Sequence, residues 1–376
     1  MNHTTLENRL QEELESLVRK NSDIFNPVLG ISNQHEDFYW TGASGKAYAD
    51  QPQPMKANTP FFIASITKMY TAAATMILGE QGKLSLDDPI SEYLPERVVS
   101  GLHIYHNHDY SEQLTLYHLI SQTSGLADYF MGKPRNGLSI FDRLINEGDF
   151  YWEFDEAIEI VKNSLSPQFP PEPSDQHKTG KTAFYSDTNY QLLGTILESV
   201  TKKSMQEIYS ELIFEPLGLQ GTYLQGYGNE KTTPENPPAN VFYKTNPVYI
   251  DKAMASARSD GGIVSNIDDN LKFLQAFLSG EIFNNPSTLK TMMNWKKIFF
   301  PLQYGFGLMR VKIPKLFSPF STTPELIGHS GATSAFLFQS EPGKILISGT
   351  LNQVDNQARP VRLMMKLVNL VSKSLS

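Results

Sequence analysis

Four residues, Ser65-Ile66-Thr67-Lys68, constrain this chain more than any others. They sit where an apolar extended run, Phe61-Phe62-Ile63, meets a strong helix predicted over residues 69–81. A Ser and a Lys three apart at a helix start share one face, one turn apart. The Ser hydroxyl then lies at the positive end of the helix dipole, where developing negative charge is favoured. A Lys one turn on can take the hydroxyl proton if burial lowers its pKa. Simple helix capping by Ser65 is the competing use of the same residue.

The rest of the chain gives this junction a setting. Leu6, Leu10, Leu14 and Leu17 recur at helical spacing and predict an amphipathic first helix. Strand-like runs follow at residues 27–32 and 37–41. Gly82 stops the helix that begins after Ser65. From Leu84 to about Phe283 the pattern is helix and loop, with helices predicted at 114–122, 152–164, 189–201, 204–213 and 266–278. Runs at 334–339 and 344–352 then alternate around Glu341-Pro342-Gly343 and predict a hairpin. Pro360 opens a closing helix over 361–371.

Strands at both ends with a helical middle predict an α/β fold. One antiparallel sheet of about five strands, flanked by the N- and C-terminal helices, is expected from residues 1–90 and 284–376. Residues 91–283 would form a mostly helical domain, with the active site in the cleft between the two.

Composition narrows the function. A net charge of −8 without a basic stripe makes nucleic acid an unexpected partner. The absence of Cys excludes disulfides, thiol catalysis and Cys-ligated metals. The N-terminal stretch lacks the apolar core of a signal peptide, and no run is long and apolar enough to cross a bilayer. The chain as written is therefore expected in the cytoplasm, or outside it if a leader has been removed. His103, His106 and His108 with Asp109 do not have the spacing of a helical metal pair, so a solvated loop is expected there. His118 reads as structural. No metal or cofactor is expected.

Two further stretches carry chemistry. In Phe184-Tyr185-Ser186-Asp187-Thr188-Asn189 a Tyr on a loop at a helix start can serve as a base if nearby cations depress its pKa. In Gly328-His329-Ser330-Gly331-Ala332, a small residue after a Gly at a strand edge lets a backbone N–H point at a substrate oxygen. Paired with the N–H of Ser65, it would form an oxyanion hole.

The order S-x-x-K, then Y-x-[ND], then [HK]-x-G resembles the class C β-lactamase, DD-peptidase and esterase superfamily. The resemblance runs from about Pro27 to the end of the chain. It is strengthened by Leu119-Ile120-Ser121-Gln122-Thr123-Ser124-Gly125-Leu126, with Gln122 where the family has His. Leu84 to Ile90, Asp260-Gly261-Gly262-Ile263-Val264-Ser265 and Tyr304-Gly305-Phe306-Gly307-Leu308 also agree. Lys178-Thr179-Gly180 spells the third motif but lies too close before Tyr185 to fill that place.

The resemblance implies that Ser65 is the nucleophile, that Lys68 assists its deprotonation and that Tyr185 shuttles a proton to the leaving group. His329 stands where β-lactamases have Lys and would be the fourth catalytic residue, a mostly neutral and so weaker anchor for a substrate carboxylate. Asp187, Ser330, Gly331, Ala332 and Tyr304 would contact substrate. Asp187 replaces an Asn, and an ionised Asp can only accept hydrogen bonds. It should stabilise protonated Lys68, and it is expected either to receive a cationic substrate group or to cap the helix that follows. The implied reaction is acyl transfer to Ser65 and then hydrolysis. Small esters or D-amino-acid amides and peptides, including peptidoglycan-derived ones, are the expected substrates. A true β-lactamase, and a penicillin-binding or sensing module that acylates without turnover, are the alternatives.

Overall fold

The computed structural model describes residues 3–171, 183–226, 237–312, 325–341 and 343–375. Lys178-Thr179-Gly180 lies outside the described residues. The N-terminal helix α1 (His3–Lys20) leads into the hairpin β1 (Val28–Asn33) and β2 (Phe38–Ala43). The chain then enters α2 (Thr67–Glu80). In the helical middle, α3 (Asp187–Thr201), α4 (Asp251–Gly261) and α5 (Ile267–Ser279) matter most for the site. The remaining strands of the main sheet are β3 (Lys296–Phe299), β4 (Leu302–Tyr304), β5 (Met309–Val311), β6 (Glu325–Ser330), β7 (Ala335–Glu341) and β8 (Ile345–Thr350). Helix α6 (Ala358–Leu375) closes the chain.

Among the described residues the main sheet has eight strands, all antiparallel, in the order β3-β4-β5-β6-β7-β8-β1-β2. The expectation of about five strands is corrected upward. The added strands β3, β4 and β5 have four, three and three residues. Pro301 and the Gly305–Gly307 turn interrupt them, so no alternation lasts long enough to register as a strand. The two ends of the chain meet where β1 pairs with β8, with Leu29 opposite Gly349.

Both faces of the sheet are covered. Helices α1 and α6 pack on β2, β7 and β8, while α5 packs on β1, β7 and β8. A Cβ at Gly30 would come within 2.2 Å of the Ile267 side chain, so β1 lets α5 approach only because Gly stands there. All six residues of β8 are buried, as expected for a strand with helices on both sides. On α1 the predicted stripe holds, with Leu6, Leu10 and Leu14 fully buried. Each contributes about 1.5–3 kcal/mol by leaving water. No helix among the described residues is long and apolar enough to cross a membrane.

Helix α4 escapes the sequence pattern. Its segment, Asp251 to Gly261, is rich in Ala and Ser without an apolar period, and Arg258 breaks it with φ +43°. This break turns Ser259 and Asp260 toward α2. Thr71 Oγ1 donates to Ser259 O at 2.6 Å, which ties the two helices together.

Candidate active site

Ser65 is held by the strand that delivers it. Phe61–Phe62 pairs antiparallel with Ile263–Ser265, which also pairs with Tyr223–Leu224. The Ile63 N–H donates to Ile263 O at 3.1 Å, and the Ile263 N–H donates to Thr67 Oγ1 at 3.1 Å. Between these clamps lies a single turn, Ala64–Ile66, that runs into α2. Ala64 has φ +48°, a left-handed conformation costing a residue with a Cβ roughly 1–2 kcal/mol. Strain of this kind persists where surrounding structure enforces it, often at functional sites.

Lys68, one turn on, is fully buried. Its ammonium donates to Ser65 Oγ at 3.2 Å and to the backbone carbonyl of Asp260 at 2.6 Å, and it pairs with Asp187 Oδ1 at 2.6 Å. These three partners match the three N–H bonds that only the protonated form carries. Burial by itself would lower the Lys68 pKa, but its electrostatic partners, the Asp187 carboxylate first among them, outweigh it and push it up. Lys68 therefore rests as an ammonium, as Asp187 in place of Asn implies. Asp187 is the first residue of α3, with Oδ1 paired to Lys68, and it also lines the cavity beside Ser65.

Tyr185 sits on the segment before α3, and Gln122 fixes that segment on both sides. The Gln122 carbonyl accepts from the Phe184 N–H at 3.0 Å, and its side-chain Oε1 accepts from the Ser186 N–H at 2.9 Å and from Asn189. Gln122, flagged only as a departure from the family's His, is thus a positioning residue for Tyr185. Lys68 Nζ lies 5.1 Å from the centre of the Tyr185 ring. The phenol is buried without a hydrogen bond of good geometry. Burial pushes its pKa up, and the opposing pull of Lys68 and Ser65 does not reverse this, so the phenol rests neutral.

The third motif ends β6 against the nucleophile turn. A Cβ at Gly331 would sit 2.3 Å from Ile63 O, so only Gly allows Ala332 to stand beside Ser65 at the cavity wall. Ser330, Gly331 and Ala332 line the cavity with Ser65, Tyr185 and Asp187. Two expected contacts do not reach it. Tyr304 is fully buried behind Tyr185, ring centres 5.6 Å apart, and its hydroxyl donates to the Tyr190 hydroxyl at 3.2 Å. It packs against Tyr185 and is not among the residues that line the cavity. His329 is also fully buried, 6.1 Å from Tyr185 between ring centres, with Nδ1 2.7 Å from Ser330 O.

Burial, then Lys68, pushes the His329 pKa down to about 3 from 6.5. The ring is neutral and cannot anchor a carboxylate by charge. The unfolded chain takes up a proton here below about pH 6.5 while the native state waits until about 3. This residue's contribution to stability is therefore full above that window and shrinks as pH falls through it. Relative to His329→Gln, the wild type is expected to lose urea stability between pH 7 and pH 4. An unchanged difference at the two pH values would show that the native ring is not held neutral.

The cavity beside Ser65 has a volume of about 330 Å³. Asp128 and Asp260 face it in addition to Asp187. Burial, then Asp187, pushes the Asp260 pKa far up; its Oδ2 accepts from the Tyr129 hydroxyl at 2.8 Å. Burial, then Asp187, pushes Asp128 up to about 7. Neither acid stood out in the sequence. The available signal was that each adjoins a family-like stretch, Asp128 just after Leu126 and Asp260 just before Gly261-Gly262.

The His-rich stretch also differs from expectation. His103 is buried, with Nε2 2.9 Å from Ser124 O, while His106 and His108 are exposed. Among the described residues no three acidic or His side chains group to hold a metal. His118 caps its own helix, its Nδ1 accepting from the Thr115 N–H at 3.0 Å.

Comparison with known proteins places this geometry. The family described as Beta-lactamase matches residues 33–364. Penicillin-binding protein 4* of Bacillus subtilis (strain 168) is 25% identical over 354 residues, covering 86% of this chain and 66% of that protein. Esterase EstB of Burkholderia gladioli is 27% identical over 289 residues, covering 70% of this chain and 68% of that one. The chain thus spans about two thirds of the length of these two relatives. The D-stereospecific amidohydrolase from Streptomyces sp. shares the fold with a TM-score of 0.73 at 23% identity, over 97% of this chain and 98% of that one. D-amino acid amidase from Ochrobactrum anthropi SV3, complexed with D-phenylalanine, shares it at 0.74 and 21%, over 98% and 99%.

Proposed function

The chain belongs to the β-lactamase family of serine hydrolases, and from that premise we propose that it forms an acyl-enzyme on Ser65 and hydrolyses small esters or D-amino-acid amides. The observation that carries this reading is the Lys68 ammonium, bonded at once to Ser65 Oγ, Asp187 and the Asp260 carbonyl. A buried cation aimed at a Ser hydroxyl stabilises the alkoxide that forms as the Ser attacks.

The proton path follows from the two resting states. Lys68 is protonated and Tyr185 is neutral, so neither begins as a free base. A neutral phenol can still relay. As Ser65 Oγ bonds to the substrate carbonyl carbon, its proton passes to the Tyr185 oxygen while the phenolic proton passes to the leaving oxygen or nitrogen. The carbonyl oxygen becomes an oxyanion between the N–H groups of Ser65 and Ala332. Collapse breaks the bond to the leaving group. Water then attacks the ester, passes its proton through Tyr185 and returns one to Ser65 Oγ, releasing the acid. Lys68 keeps its charge throughout.

Support for the substrate class comes from the cavity. Phe130, Phe141, Leu144, Trp152 and Met254 line it together with the three acids. This suits an acyl group with an apolar side chain. Relatives that include a penicillin-binding protein, an esterase and amino-acid amidases fit a scaffold that cleaves esters or amides of such groups. A neutral His329 and an acid at 187 speak against tight binding of an anionic β-lactam.

Tyr185→Phe tests the relay. It is expected to lower kcat for a p-nitrophenyl ester of a hydrophobic acid by about 10²–10⁴-fold with little change in KM. A less basic leaving group should lose less than an amide. Equal losses on both, or none, would remove Tyr185 from the proton path.

A further inference from the structure

Resting on that reading, we propose that Asp128 forms an ammonium-binding subsite in the acyl pocket, so that the preferred acyl group is an amino acid with a free α-amine and an apolar side chain. Asp128 is only 8% exposed. Its Oδ1 is occupied, accepting from the backbone N–H groups of Phe130 at 2.9 Å and Met131 at 3.4 Å, which fixes the carboxylate. Its other oxygen has no partner among the described residues, and the residue lines the same cavity as Ser65. A largely buried carboxylate with one oxygen unpartnered, in a residue that lines a cavity, can be satisfied by a ligand donor.

The charge count points the same way. Asp128, Asp187 and Asp260 line the cavity, and among the described residues no Lys, Arg or His does. The nearest cation, Lys68, lies beneath and is saturated by Ser65, Asp187 and the Asp260 carbonyl. Asp128 and Asp260 are therefore both left without a counter-ion, and of the two Asp260 already accepts from the Tyr129 hydroxyl while Asp128 keeps an oxygen without a partner among the described residues. Burial first, and then Asp187, push the Asp128 pKa up to about 7, as expected for a buried carboxyl beside another acid. An α-ammonium would supply the missing counter-ion.

The aromatic residues of the same cavity suit the other half of the ligand. Phe130 packs edge-on to Phe141 at 6.0 Å and is tilted against Trp152 at 6.1 Å, ring centre to ring centre. Phe130 follows Asp128 by two residues, so the acid and the aromatic wall are set by one short loop. A ligand with an ammonium and an apolar side chain on adjacent carbons fits both.

The test separates binding from chemistry. Calorimetry would measure phenylalaninamide, in both enantiomers, and 3-phenylpropionamide, which lacks only the amine, against Ser65→Ala and against Ser65→Ala with Asp128→Asn. Asn keeps an oxygen to accept the loop N–H groups, so the loop is retained and only the charge is lost. The amine is expected to tighten binding to Ser65→Ala by about 30-fold for the better enantiomer, the scale of a charge-assisted hydrogen bond. The advantage should vanish with Asp128→Asn. Equal affinities with and without the amine, an advantage that survives Asp128→Asn, or no binding of either amide would overturn the subsite. Failure of the acyl-enzyme reading would show separately, as absence of Ser65-dependent turnover in the wild type.

Discussion

Replacing Ser65 by Ala is expected to lower kcat for every substrate by about 10⁴-fold or more, while leaving the fold and its melting temperature nearly unchanged. The two halves of this expectation have separate causes. The activity depends on a single oxygen, the one that accepts the Lys68 hydrogen bond at 3.2 Å. The stability does not, because Ser65 is only half-buried and Lys68 keeps its two shorter partners, Asp187 and the Asp260 carbonyl. No buried charge is stranded, so the stability change should stay within about 1 kcal/mol. Steady-state kinetics on an activated ester, beside a melting curve, reads both. A variant that kept a tenth of the activity would place the nucleophile elsewhere.

Lys68→Ala should behave differently, losing both function and stability. It removes the cation next to Ser65 and leaves Asp187, its side chain 12% exposed, facing the Asp260 carbonyl with no positive charge between them. Breaking a buried pair by removing one partner costs about 3–5 kcal/mol, because the other charge remains out of water. In activity the loss should reach about 10³-fold, as expected for removing a charge aimed at the reacting oxygen. The double variant Lys68→Met with Asp187→Leu separates the two effects. Apolar side chains of similar volume often replace a buried pair at no net cost. The double variant should thus regain much of the stability lost by Lys68→Ala and none of the activity. If activity returned with stability, Lys68 would serve only the fold. Denaturant unfolding and ester turnover on Lys68→Ala and on the double variant, each beside the wild type, read the two effects.

The three motifs were legible because each is a short string whose residues do chemistry. The chain brings Ser65, Lys68, Tyr185 and Asp187 together as their order implies. The helices at α1, α2, α3, α5 and α6 were legible through period and caps. What the sequence hid depends on long-range burial. The eight-stranded width of the sheet was hidden because β3, β4 and β5 hold register only through their neighbours. Helix α4 was hidden by its composition and by the break at Arg258. Asp187 could be read as replacing Asn, but not as already paired, since the distance to Lys68 is set by how α2 and α3 pack. Tyr304 and His329 carry motif positions, and the sequence did not show that both are fully buried and packed against Tyr185, since that depth is set by long-range packing. Asp128 looks like any loop Asp until the cavity is seen around it.

The central claim is a covalent one, and intact-mass analysis tests it most directly. The protein and its Ser65→Ala variant would each be incubated with a fluorophosphonate and, separately, with a penicillin. The account predicts a single adduct of the fluorophosphonate on the wild type, none on Ser65→Ala, and weak or no labelling by the penicillin, because the cavity is acidic and His329 is neutral. A stable penicillin adduct would favour a penicillin-recognising module over an ester or amide hydrolase. No adduct with either reagent, or an adduct that survives Ser65→Ala, would contradict the assignment of Ser65 as the nucleophile.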